Sequence, residues 1–273
     1  MNYLSYVFPV VMMLAFGGYA IWMMQKRGKM IADSGPAMAA FFQRTGFRYA
    51  DMPPEPLEHH VRRAMQEAES WAPGNRTTHY VRHHRGLALH HVSAFTSSES
   101  GYSVSCSWSA DLIGPPSIPF HVADRSLCSL GKAVREAFSN TTRVWSAKHP
   151  HEVRTGIPAV DQRFVVFGRD PNAVAWLFQQ SPALVAAILR CVEVDLWVSD
   201  RDATFSDPSQ KNVIAAMGGM AGHMALGYDI VKRMELSIPV HEHISDLLAL
   251  AVHAACPSVP PGFAGAMSPG RPR

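Results

Sequence analysis

The chain has 273 residues, 47% of them hydrophobic and 17% charged, which supports a packed core and argues against disorder. Its formal charge is only +3, and three basic residues fall together near the amino terminus, so the remainder is close to neutral. No basic stripe is present, which excludes a nucleic-acid-binding surface of the usual kind.

In chain order, the first element is an uncharged run from Tyr3 to Met24, followed by Lys26, Arg27 and Lys29. At about 1.5 Å per helical residue this run matches a hydrocarbon core of roughly 30 Å and predicts a transmembrane helix over residues 1–25. Pro9 and Gly17-Gly18 are tolerated in such a helix. Tyr3 and Tyr6 at one end and Tyr19 and Trp22 at the other match an interfacial belt. The basic residues follow the span, so the positive-inside rule places residues 26–273 in the cytoplasm. The competing reading is a cleaved signal peptide with Gly18-Tyr19-Ala20 as its site, but the run is long and lacks a basic n-region.

Residues 26–54 read as a juxtamembrane helix broken at Gly35-Pro36, then a hinge at Asp51–Pro54. Ala37–Phe42 is apolar and is expected to pack on the domain. A helix follows to Glu69, with Leu57, Val61, Ala64, Met65 and Ala68 at helical spacing. Residues 77–84 and 87–95 then predict a hairpin around Arg85-Gly86. Residues 102–110 alternate Tyr102, Val104, Cys106 and Trp108 with serines, the pattern of a half-buried strand. Prolines 115, 116 and 119 limit 117–122 to an edge strand. A short helix over 126–138 and a strand over 142–147 complete this half.

The second half reads as a strand over 162–167, then Asp170 as N-cap with Pro171 at the first helical position. Helical segments cover 173–179 and 182–190. A strand over 192–199, a turn at Asp200-Arg201-Asp202 and a return over 203–205 follow. One long helix is expected from Ser206-Asp207-Pro208 to Met234, interrupted by Pro239, with a last helix over 241–255. The tail, 257–273, is rich in Pro and Gly and reads as disordered. The fold class is α+β with mainly antiparallel sheet, in one cytoplasmic region over 55–256 with a possible sub-boundary near 150.

Histidines 79, 83 and 90 are the candidate metal ligands. With Arg85-Gly86 as the turn they share one sheet face. His79 and His83 lie about 13 Å apart at roughly 3.3 Å per residue, so two of the three can meet a metal but all three cannot without a bulge. His149/His151 and His241/His243 lack a carboxylate or cysteine at a diagnostic spacing. Cysteines 106, 128, 191 and 256 form no Cys-x-x-Cys pair, which excludes a zinc ribbon and a thioredoxin-type motif and suits a reducing compartment.

Asp200–Asp207 lacks the glycine and closing glutamate of a calcium loop. Gly218–Gly222 has no nucleotide-loop spacing and is read as a helix surface that a neighbour approaches closely; a second span over 213–231 is the rival reading. No Gly-x-Ser-x-Gly elbow occurs, and the sequence gives no warrant to pair carboxylates such as Asp111 and Asp124. No catalytic or cofactor-binding residue is assigned.

The pattern Asp161-x-x-Phe164-x-Val166-x-Gly168-x-Asp170-Pro171, with its following helices and strand, resembles uncharacterised bacterial single-pass membrane-anchored proteins. In these one amino-terminal span precedes an α+β domain of unknown function. The resemblance covers the anchor and roughly residues 150–235 and implies architecture only.

The expected function is a non-catalytic interaction or scaffold domain at the cytoplasmic face of a bacterial inner membrane. Its partners would be the lipid bilayer and another protein. The alternatives are a tethered metal-dependent hydrolase using histidines of the 79–91 hairpin, and an exported ligand-binding domain.

Overall fold

The computed structural model describes residues 4–50, 56–69, 76–98, 101–112, 114, 118–125, 149–207, 210–226 and 229–256. Tyr3, the hinge at 51–54, the segments at 126–138 and 142–147 and the tail at 257–273 lie outside the described residues, as do the side chains of Tyr6 and Arg27.

The elements are α1 (Leu4–Thr45), β1 (Arg48–Tyr49), α2 (Leu57–Glu69), β2 (Arg76–His84), β3 (Leu87–Ser98), β4 (Gly101–Asp111), β5 (Phe120–Asp124) and β6 (His151–Val153). They continue with α3 (Pro158–Arg163), β7 (Phe164–Gly168), α4 (Pro171–Gln180), α5 (Pro182–Arg190), β8 (Asp195–Val198) and β9 (Asp202–Asp207). The last three are α6 (Lys211–Ala216), α7 (Gly219–Leu226) and α8 (Ile230–Ala255).

Among the described residues nine strands form one sheet in the order β1-β2-β3-β4-β9-β8-β5-β7-β6, and each neighbouring pair is antiparallel. The α+β class with a large antiparallel sheet and packed helices is therefore observed. The sheet takes strands from both sides of position 150.

Alternation along each strand sorts the residues into two faces. On the inner face Leu87, Leu89, Trp108, Phe120, Val122, Phe164, Val166, Leu196 and Phe205 are each at most 1% exposed. Helix α8 covers much of this face with Ile244, Leu247, Leu248, Ala251, Val252 and Ala255, one stripe at i, i+3, i+4, i+7 spacing. Helices α1, α4 and α5 pack on the same side. The outer face carries a lateral row that register aligns across eight strands: Val81, His90, Ser109, Thr204, Trp197, His121, Phe167 and Glu152.

Four expectations are corrected. Helix α1 is unbroken at Gly35-Pro36. Helix α8 likewise runs through Pro239. In both cases the proline is exposed, and so is the residue four positions earlier (Ala32, Glu235). The carbonyl deprived of its partner therefore faces water, while the inner side of each helix stays packed. The long helix expected over 206–234 is instead divided, because Gly218 and Gly219 adopt φ of +88° and +75° and close α6 from α7. Finally, β5 is not an edge strand. It lies between β7 and β8, buried on both faces, and Pro119 precedes its first residue, so no ladder donor is lost.

Among the described residues no single helix is long and apolar enough to cross a membrane; the side chains of residues 1–16 lie outside that set. The pair α4 and α5 reaches the required length and composition together, but is bent by 88° and buries Val174, Leu177, Phe178, Leu184, Val185 and Ile188 in the core.

The motif around Gly168 has a packing basis. Asp161 accepts hydrogen bonds from the Thr155 and Gly156 amides at 2.9 and 3.1 Å, fixing the turn before α3. Phe164 and Val166 point inward. A Cβ on Gly168 would lie 2.6 Å from Val174 Cγ2, so only glycine lets α4 sit this close to β7. Asp170 caps α4 through the amides of Asn172 and Ala173 at 3.0 and 3.1 Å. Gly168→Ala is expected to cost about 1–3 kcal/mol by overpacking, and Asp170→Ala about 1 kcal/mol by loss of the cap. Urea denaturation followed by circular dichroism measures both.

Candidate functional site

A polar cluster forms the joint where α1 meets the sheet and α8. Helix α1 ends at Thr45, and Gly46 takes φ of +70° so that its amide donates to the Phe42 carbonyl at 2.9 Å. The Thr45 carbonyl is left without a helical partner and accepts instead from Arg82 Nη1 at 2.7 Å. That guanidinium lies 4.9 Å from the Phe47 ring centre and is 6% exposed. Burial lowers its pKa, opposed by the nearby charges of Glu242 and Asp246 on α8. Asp246 in turn holds the tip of the β2–β3 hairpin, accepting from His84 Nε2 at 2.8 Å and Arg85 Nη2 at 2.9 Å. Arg85 and Gly86 both have positive φ, as a type I′ turn requires.

Aromatic rings fill the rest of the joint. Phe41 stands edge-on to His241 at 5.1 Å, while Phe42 packs on Tyr49 at 5.4 Å and Tyr80 at 5.8 Å. His91 stacks on Trp108 at 4.7 Å and meets His241 edge-on at 4.7 Å. Trp108 Nε1 donates to His241 Nδ1 at 3.2 Å. Burial, then Arg82, pushes His241 down to about 3. Burial, then His241 and His79, holds His91 well below the usual imidazole value. Both rings are neutral. This joint fixes the end of α1 onto the domain.

The outer face holds the sequence candidates. His79 Nε2 and His90 Nδ1 are 3.0 Å apart, and His90 Nε2 lies 3.3 Å from Asp111 Oδ2. His83 does not join them: it stands exposed opposite Ala88, nearer the turn. Among the described residues no group of three or more His, Cys, Asp or Glu side chains is placed to hold a metal ion. His241 and His243 share α8 but diverge, the first into the joint and the second to the Ala187 carbonyl at 3.0 Å. His149 is buried and His151 is exposed on β6.

Of the residues expected to form an anchor, Tyr19 and Trp22 are 59% and 47% exposed and stack at 5.8 Å, with Lys26 Nζ 5.2 Å from the Trp22 ring; Lys29 is exposed. Asp200 and Asp202 flank the β8–β9 turn, where Asp200 pairs with Arg169 at 3.4 Å beside a pocket of about 340 Å³. Asp207 caps α6 through the amides of Lys211 and Asn212.

Sequence reading missed the approach of Cys191 to His243. Cys191 Sγ lies 3.4 Å from His243 Nε2, although 52 positions separate them. Burial raises this thiol to about 12, and His243 Nε2 already donates to a carbonyl, so the sulfur stays protonated and inert. Burial also takes Cys106 to about 11.

No family model matches the chain, and no curated protein matches it. Among solved structures, the chain is similar to the crystal structure of the mycobacterial trehalose monomycolate transport factor A, TtfA, with 12% identity over 74% of this chain and 93% of that one. The TM-score is 0.33, too low to establish a common fold.

The neutral pair His91 and His241 makes an acid-sensitive joint. Their native pKa values are depressed, so the unfolded state binds more protons as pH falls below about 6.5. Stability is present above that value and is lost progressively toward about 3, where His241 itself titrates in the native state. The slope is at most about 1.4 kcal/mol per pH unit for each histidine. Urea midpoints measured from pH 7 to 4 are expected to fall, and His241→Phe is expected to flatten the dependence.

Proposed function

We propose that this chain is a single-pass protein of a bacterial inner membrane whose cytoplasmic domain binds another protein, without catalysis of its own. The observation that carries the reading is the continuity of α1. The same 42-residue helix holds the uncharged run up to Met24 and, from Ser34 onward, becomes part of the domain core. Tether and domain are then one rigid element rather than two parts joined by a linker.

Two further features support it. The exposed apolar side chains Tyr19, Ile21, Trp22 and Met24 cluster on α1 just before Lys26, where a membrane interface would accept aromatic and basic groups. The thiols of Cys106, Cys191 and Cys256 are free, which suits a reducing compartment.

Full-length protein in isolated bacterial membranes is expected to resist alkaline carbonate extraction and to be digested by protease added to inverted vesicles. Release into the soluble fraction would overturn the tether, and a mature amino terminus beginning just after Ala20 would favour the exported alternative. A detergent pull-down that recovers one protein in stoichiometric amount, and loses it when the outer face is altered by Ser107→Arg and Thr204→Arg, would support the interaction role. Substrate turnover that depends on a side chain would overturn it.

A further inference from the structure

We infer that His79 and His90 form a two-histidine site for a divalent transition-metal ion on the outer face of the β2–β3 hairpin, with Asp111 orienting His90. The two nitrogens, Nε2 of His79 and Nδ1 of His90, face each other at 3.0 Å. Two imidazole ligands on one tetrahedral zinc ion, each bonded at about 2.0–2.1 Å, stand about 3.3 Å apart. The rings therefore need to separate by only a few tenths of an ångström.

The tautomer is set from behind. Asp111 Oδ2 lies 3.3 Å from His90 Nε2, so that nitrogen carries the hydrogen and donates it, leaving the Nδ1 lone pair directed at His79. This carboxylate–histidine arrangement is the usual support of a metal-bound imidazole. At 3.0 Å His79 Nε2–H donates to that lone pair; a cation takes the place of the shared hydrogen when His79 shifts to its Nδ1–H tautomer, and both lone pairs then face it.

Donor type selects the ion. Two imidazoles favour zinc, copper(II) or nickel(II), whereas calcium and magnesium prefer oxygen ligands. The His90 side chain is 27% exposed and Asp111 73%, so water reaches the site and fills the remaining coordination positions. The geometry also separates the sequence candidates. His79 and His90 are diagonal neighbours across the β2–β3 pair, one register step apart, while His83 is four residues along the strand from His79.

The test is calorimetric titration of zinc chloride into full-length, tag-free protein in detergent, with far-UV circular dichroism confirming that each variant is folded. Wild type is expected to bind one equivalent and to gain thermal midpoint on binding. His79→Ala and His90→Gln are expected to lose that equivalent and the midpoint gain. Asp111→Asn is expected to bind about 10–100-fold more weakly, and His83→Ala as wild type does. Absence of binding, or binding unchanged in folded His79→Ala and His90→Gln, would overturn the site. If either variant fails to fold, the His79→Gln and Asp111→Asn titrations decide: wild-type affinity in both would overturn it.

Discussion

A single buried guanidinium holds the structure's most demanding position. Arg82 must supply a donor to the last carbonyl of α1 while itself being removed from water. A buried cation is costly unless its surroundings compensate. Here the compensation comes from three elements: the Thr45 carbonyl at the negative end of α1, the face of Phe47, and the carboxylates of Glu242 and Asp246 on α8. The neighbouring imidazoles of His91 and His241 must stay uncharged for this balance to hold, and their burial ensures it. Helix placement, hairpin placement and ring packing thus converge on one charge.

The same hairpin serves two environments because a strand alternates its side chains. Tyr80, Arg82 and His91 turn inward to the joint, whereas His79 and His90 turn outward and meet Asp111. Identical residue types therefore differ in state within a few ångströms. An inner histidine is dry and neutral. An outer one is partly exposed and hydrogen-bonded to its neighbours.

Much of this organisation was legible where local chemistry decides it. The Arg85-Gly86 turn, the Cys106/Trp108 alternation of β4 and the Asp170-Pro171 start of α4 are specified by neighbouring residues, and the structure shows each. Strands β1 and β6, of two and three residues, are too short to leave a periodic signal and exist only because longer partners pair with them. The central place of β5 depends on β7 and β8 arriving from later in the chain. Pro36 and Pro239 are ordinary helix breakers until tertiary packing turns them to solvent. At the histidines, spacing shows that three cannot meet without a bulge; which two approach follows only from register. The approach of Cys191 to His243 joins a helix end to a distant helix, with no local trace.

The unbroken course of α1 gives the domain a fixed phase. Each residue of an α-helix advances by about 1.5 Å and turns by about 100°. Between Met24 and Ser34 the helix therefore works as a shaft: its residue count sets both how far the sheet stands from the first half of α1 and which way the outer face looks. Removing one residue there would swing that face through more than a quarter turn. Removing seven would shorten the shaft by about 10 Å yet return the face to within about 20° of its original heading. Orientation and distance are thus separately adjustable by the length of one short stretch of helix.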